Sequence, residues 1–150
     1  MPMRLTDSTK SVFCARLNAL TPQSQPQFGK LNTAGMVVHM RIVLELSLGE
    51  IVEPDHSTFF SRTVVRFLVY NVVPWPKGKV KVPEQFTPPP RGDLDAERRA
   101  LLATIGRFLA AEQREPGRKT LHPMFGPMTL NYWQKAHGMH FDHHLKQFGV

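Results

Sequence analysis

Four of the chain's seven histidines, His137, His140, His143 and His144, crowd into one short stretch late in the sequence. Imidazole titrates near neutral pH and is the commonest protein ligand for metal ions. Residues four apart on a helix lie one above the other on one face, and His140 and His144 have that spacing. Two imidazoles so placed can converge on one divalent ion. At 100° per residue, Trp133, His137, His140 and His144 fall within about 60° of one another. Phe141 and Phe148 flank that sector, His143 sits on its other edge, and Asp142 points nearly opposite. His140 and His144 are therefore the expected ligand pair, and His143 is peripheral. His137, one turn before His140, is open to three roles: a partner that supports a ligand, a substrate contact or an additional ligand.

Catalytic zinc usually has three protein ligands and one open position. His39 is the natural third ligand, because it alone among the other histidines falls on the core-facing stripe of a second helix. His56 and His122 stand beside Pro54 and Pro123 in expected loops. Taken singly, His39 reads as a hydrogen-bonded core residue and the late cluster as a solvated helix end. Taken together, they would crowd polar nitrogens into an apolar core, where unpaired groups are costly and a shared ion would satisfy them. Met36, Val43 and Trp133 are the expected pocket residues around it. No carboxylate is placed as a general base, since Glu45 and Asp142 point away from the histidine sectors. His137 and His143 remain as candidates for proton transfer. Zinc is the first expectation for the ion, and nickel and iron also suit imidazole.

Five helical segments would position these groups. The first spans about Ser8 to Leu20, with Phe13, Leu17 and Leu20 on one face; Thr21-Pro22 stops it. The second spans about Thr33 to Leu48, capped by Asn32 or Thr33 and closed by Gly49. Met36, His39, Val43, Leu46 and Ser47 share its broad inner face. The third spans about Ser57 to Asn71, with Phe60, Val64 and Phe67 in register, and Pro74 and Pro76 end it. Val73 to Arg91 reads as a proline-rich, basic, ordered loop. The fourth helix starts at Asp93 or Asp95 and ends at Glu115-Pro116-Gly117. The fifth runs from Thr129 to about Gln147, with Met128 and Trp133 spaced as a hydrophobic staple. No strand pair and no internal repeat stands out. The expected fold is all-α: a four-helix bundle in up-down-down-up order, with an extra helix in the long crossover from Gly49 to Gly92.

The 150 residues suit one domain over 1–150. Hydrophobic residues at 41% and charged residues at 21% argue against global disorder. No apolar run approaches the roughly 18 residues needed to span a membrane. Met1 to Lys10 carries no apolar signal core, so a cytoplasmic protein is expected. A single cysteine, Cys14, excludes an intramolecular disulfide and reads as a small, at least half-buried side chain. The net charge of +7 could serve nucleic acid, but the clearest basic stretch, Lys77, Lys79, Lys81 and Arg91, lies among prolines and glycines as a solvated loop. Nucleic-acid binding is the least favoured reading.

At these residues the sequence resembles a known family. NTAGMVVHMRIVLELSLGE, Asn32 to Glu50, resembles the histidine-bearing second helix of the DinB-like superfamily, and HFDHHLKQFGV, His140 to Val150, resembles its closing HxxHH helix. HPMFGPMTLNYW, His122 to Trp133, resembles one uncharacterised branch, a domain-of-unknown-function family. The resemblance implies the up-down-down-up bundle and a three-histidine metal site at His39, His140 and His144. It further implies kinship with YfiT-like proteins and with metal-dependent transferases that use low-molecular-weight thiols such as bacillithiol, mycothiol or glutathione, and it implies homodimers. The expected function is a metal-dependent enzyme with a thiol S-transferase-like activity on a small electrophile. The alternatives are a non-catalytic metal-binding or stress-response module and, if water replaces the thiol, a metal-dependent hydrolase.

Overall fold

The computed structural model describes residues 3–79 and 82–150. Lys81, counted above in the basic stretch, and Met1 and Pro2 of the opening segment lie outside the described residues. The chain forms α1 (Asp7–Asn18), α2 (Thr33–Ser47), a π-helical turn (Ser61–Val65) that leads into α3 (Arg66–Asn71), and a 3-10 turn (Glu84–Phe86). It continues through α4 (Leu94–Arg114), β1 (Lys119–His122), β2 (Gly126–Thr129) and α5 (Leu130–Gln147).

Each long helix starts at a polar cap that accepts a bond from an otherwise orphaned amide. Thr6 and Thr9 reciprocate at α1, Asn32 takes Gly35 N–H at α2, Asp93 takes Ala96 N–H at α4, and Thr129 takes Tyr132 N–H at α5. α2 closes as expected at Gly49, whose φ of +76° suits a residue without Cβ. One apolar cluster joins Phe13 and Leu17 of α1, Met36, Met40 and Leu44 of α2, Leu101, Ile105 and Phe108 of α4, and Trp133, Phe141 and Leu145 of α5. α2 packs chiefly along α4, and α5 touches α1, α2 and α4. Among the described residues, no helix is long and apolar enough to cross a membrane.

The fold is not the expected all-α, up-down-down-up four-helix bundle. β1 and β2 pair antiparallel, from Lys119 opposite Thr129 to His122 opposite Gly126. Each strand has four residues. That is too short for a period of two to stand out, and Pro127 inside β2 masks the signal further. This hairpin docks on the end of α2. Thr120 Oγ1–H donates to Ser47 O at 2.7 Å and the Arg118 guanidinium to Leu48 O at 2.5 Å. Both carbonyls belong to the last turn of α2, where no helical partner is available. Thr129 ends β2 and caps α5 at once, so the hairpin fixes how α5 sets out relative to α2.

The crossover differs as well. Phe60, Val64 and Phe67, expected in register on one helix face, are exposed at 62%, 43% and 58%. The π-helical turn breaks the 3.6-residue period at that point, and Tyr70 is the residue that α3 buries.

Candidate metal centre

The side chains of His39, His140 and His144 meet between α2 and α5. Each offers one nitrogen, and these nitrogens lie within 4.8 Å of one another. The three ring centroids are 4.6 to 4.9 Å apart, with every pair of rings close to perpendicular at 83°. His39 and His144 are buried. His140 is half-buried, but its Nδ1 is shut off from solvent.

The surrounding acceptors decide which nitrogens face inward. His39 Nδ1–H donates to the backbone carbonyl of Phe86 at 2.8 Å. A carbonyl can only accept, so Nδ1 carries the proton and Nε2 keeps its lone pair. His144 Nδ1–H donates to Gln147 Oε1 at 2.8 Å. The Gln147 amide is itself held, because its Nε2–H donates to Phe28 O at 2.7 Å. His39 Nε2 lies 2.9 Å from His140 Nε2. That contact is satisfied either by a proton donated from His140 or by an ion that draws both lone pairs. A tetrahedral zinc ion with bonds of 2.0–2.1 Å needs ligand nitrogens roughly 3.3 Å apart. The His39–His140 pair at 2.9 Å is close to that spacing, and all three nitrogens lie within 4.8 Å of one another. The cluster contains no carboxylate, and the three histidines could hold a metal ion.

Charge state supports the same chemistry. Burial and then the neighbouring imidazoles push His140 well below its ordinary value. Burial and then His39 push His144 down to about 3. Burial lowers His39, against the opposing effect of its bond to Phe86. All three rings are neutral at pH 7, and a neutral ring is the form that ligates metal.

The other histidines stand apart from this trio. His137 is fully buried, and its Nε2–H donates to Ser47 Oγ at 2.8 Å, while Ser47 Oγ–H donates to Leu44 O at 2.7 Å. Its ring stacks on Trp133 at 5.3 Å. His143 is half-buried, with ring centroids 5.2 Å from His144, 5.5 Å from Phe28 and 5.8 Å from Trp75. His122, expected in a loop, ends β1. Its Nδ1 accepts from Met124 N–H and Phe125 N–H, and its ring stacks on Trp133 at 5.4 Å. His56 is exposed, and its backbone N–H donates to Pro123 O.

Beside His140 lies a cavity of about 140 Å³, walled by Val43 of α2, Tyr70, Trp75, His122, and Trp133, Ala136, His137 and His140 of α5. Val43 and Trp133, expected as pocket residues, line it; Met36 is instead fully buried in the core. Sequence reasoning missed Gln147, although it stands three residues after His144 on the same helix face. It also missed Trp75 and the Phe86 carbonyl, for which the loop sequence holds no signal.

No curated protein and no solved structure matches the chain. A family model does match, over residues 2–149, nearly the whole length. The chain therefore belongs to the family described as Protein of unknown function (DUF1569).

Proposed function

We propose that this chain is a metal-dependent enzyme in which His39, His140 and His144 hold a divalent ion, zinc in the first instance, with nickel and iron as the other candidates. The observation that carries the reading is the orientation of His39 and His144. Both have Nδ1–H engaged by an oxygen outside the cluster, which leaves Nε2 bare on the inner side. Carbonyl acceptors behind metal-bound imidazoles set the tautomer in the same way in known metal sites. When bound, an ion with three neutral ligands keeps its positive charge and lowers the pKa of a thiol or water reaching its remaining position.

The chain's own groups supply the rest. The aromatic wall of Tyr70, Trp75 and Trp133 limits water beside the cluster and favours an uncharged electrophile. His143, half-buried next to His144, keeps access to solvent and is the proposed proton carrier. Burial, with His122 second, pushes His137 down to about 3, so it stays neutral, donates to Ser47 Oγ and does not serve as a base. The DinB-like resemblance at Asn32–Glu50 and His140–Val150 favours a low-molecular-weight thiol over water as the nucleophile.

Elemental analysis of the purified chain after zinc loading and gel filtration is expected to find about one ion per chain. His39→Ala and His144→Ala are expected to bind at least 100-fold more weakly. Retention of zinc by both variants would remove the basis of this reading. Addition of glutathione or another small thiol to an electrophile is then expected to depend on the loaded ion. Hydrolysis of the electrophile with no thiol adduct would shift the assignment to a hydrolase.

Gln147 gives a sharper test, because it is placed to position His144 and not to touch the ion. Gln147→Leu is expected to weaken zinc binding roughly 10- to 100-fold, measured by competition with a chromophoric chelator. Gln147→Glu keeps an acceptor for His144 Nδ1–H but loses the donor to Phe28 O, and is expected to bind zinc more tightly than the leucine variant and more weakly than the parent. Equal affinity in the leucine variant would mean that the inward Nε2 is set by something else.

A further inference from the structure

We infer that the outward face of residues 59–72 is the surface on which two copies of this chain pair. Phe60, Val64, Phe67 and Leu68 recur three and four residues apart and share one face of the π-helical turn and α3. All four are exposed, and so are Phe59 and Val72 at the two ends of the segment. The inner side is apolar too, since Tyr70 is buried and Val69 packs against the core. A helix that is apolar all round belongs inside a structure. Among the described residues, nothing covers the outer side of this one.

Area and charge decide the occupant. A phenylalanine side chain carries roughly 150–250 Å², and Phe59, Phe60 and Phe67 each leave more than half of theirs open. With Val64, Leu68 and Val72, the open apolar area is on the order of 600 Å², the upper end for the largest patch on an ordinary monomer. Two such faces together would bury on the order of 1,200 Å², above the roughly 1,000 Å² that a specific interface needs. The charged groups beside the face are engaged within the chain. Arg62 binds Asp55 and Ser57, Arg66 donates to Pro127 O and lies over the Tyr132 ring, and Lys135 bonds Asn71. A charged peptide or an anionic lipid surface would have to break these bonds in order to pair with them. An uncharged, aromatic, apolar face is complementary to itself, and a two-fold axis sets it against its equal. The same element carries Tyr70 and holds the Trp75 indole N–H at Val69 O, 3.0 Å away, so the pairing surface backs the wall of the cavity beside His140. The inference goes beyond the metal reading and needs no ion, so it can fail or hold on its own.

The test is sedimentation equilibrium of the whole chain over a concentration series, with a chelator present so that no ion bridges two chains. A mass of about twice the 17.1 kDa of one chain is expected at high concentration. The dissociation constant is expected in roughly the micromolar range for an interface of this size. Amide hydrogen exchange over residues 59–72 is expected to slow as the dimer forms. Phe60→Glu combined with Phe67→Glu sets like charges against each other and is expected to weaken pairing roughly 100-fold or more. Far-UV circular dichroism of that variant should stay native, because both side chains are exposed. Val12→Glu, at an exposed apolar position of α1, is the control and is expected to pair as the parent does. A single-chain mass at every concentration, or equal pairing by the double variant, would overturn the inference. Binding of a monomeric chain to vesicles of phosphatidylcholine and phosphatidylserine, lost in the double variant, would assign the face to a membrane and overturn it as well.

Discussion

Gly138→Ala is expected to destabilise the protein by about 3 kcal/mol or more, although the residue sits inside a helix where alanine is ordinarily better by about 1 kcal/mol. The reason is a close passage of backbone over α5. A Cβ at Gly138 would stand 2.8 Å from Arg4 Cα and 2.9 Å from the Met3 carbonyl carbon, with Met3 O nearer still. These are main-chain atoms, so no side chain can swing aside. The segment is also pinned. Leu5 N–H donates to Gln134 O at 2.9 Å, the Arg4 guanidinium bonds Asn131, and Leu5 is fully buried. Displacing it would forfeit about 1.5–3 kcal/mol of apolar burial and about 1 kcal/mol of hydrogen bonding. Gly106 in the middle of α4 is the control, because a Cβ there meets nothing within 4 Å. Gly106→Ala is expected to stabilise by up to about 1 kcal/mol. Urea unfolding of both variants measures the contrast. If both changes stabilise, residues 3–5 do not lie across α5.

The same contrast between local pattern and tertiary placement runs through the metal centre. The spacing of His140 and His144 and the position of His39 on its apolar stripe were legible, because a helix converts spacing into direction. That the two helices face each other across those positions depends on the hairpin. Its two four-residue strands leave no pattern long enough to read. The groups that hold the rings divide in the same way. Gln147 is local to His144 and follows from helical spacing once the partner is known. Phe86 O reaches His39 from a proline-rich loop far along the chain. A backbone carbonyl is present at every residue, so its identity as a partner is set by the path of the loop. The apolar face carrying Phe60, Val64 and Phe67 stays exposed along the π-helical turn at Ser61–Val65 and α3, and side-chain periodicity does not tell whether a neighbour covers such a face.

Stability of the metal-free protein is expected to fall by about 4 kcal/mol between pH 7 and pH 5, through His122 and His137 alone. Burial pushes His122 down to about 4, and burial with His122 pushes His137 down to about 3, from an ordinary value of 6.5. A group whose pKa is depressed by folding stabilises the native state above its unfolded pKa. That stability is lost as pH falls toward the folded pKa, because only the unfolded chain takes the proton. Each group therefore costs about 2 kcal/mol by pH 5, a large share of a typical 5–15 kcal/mol. His144, pushed to about 3, adds to the loss while the site is free of metal. Asp55 and Asp142 are held below 3.8, and their contribution is lost only at lower pH, outside this window. Urea unfolding at pH 7 and pH 5 in the presence of a chelator measures the drop. Equal stability at the two values would mean that His122 and His137 take up protons in the folded state, which requires water to reach rings that the stacked face of Trp133 covers.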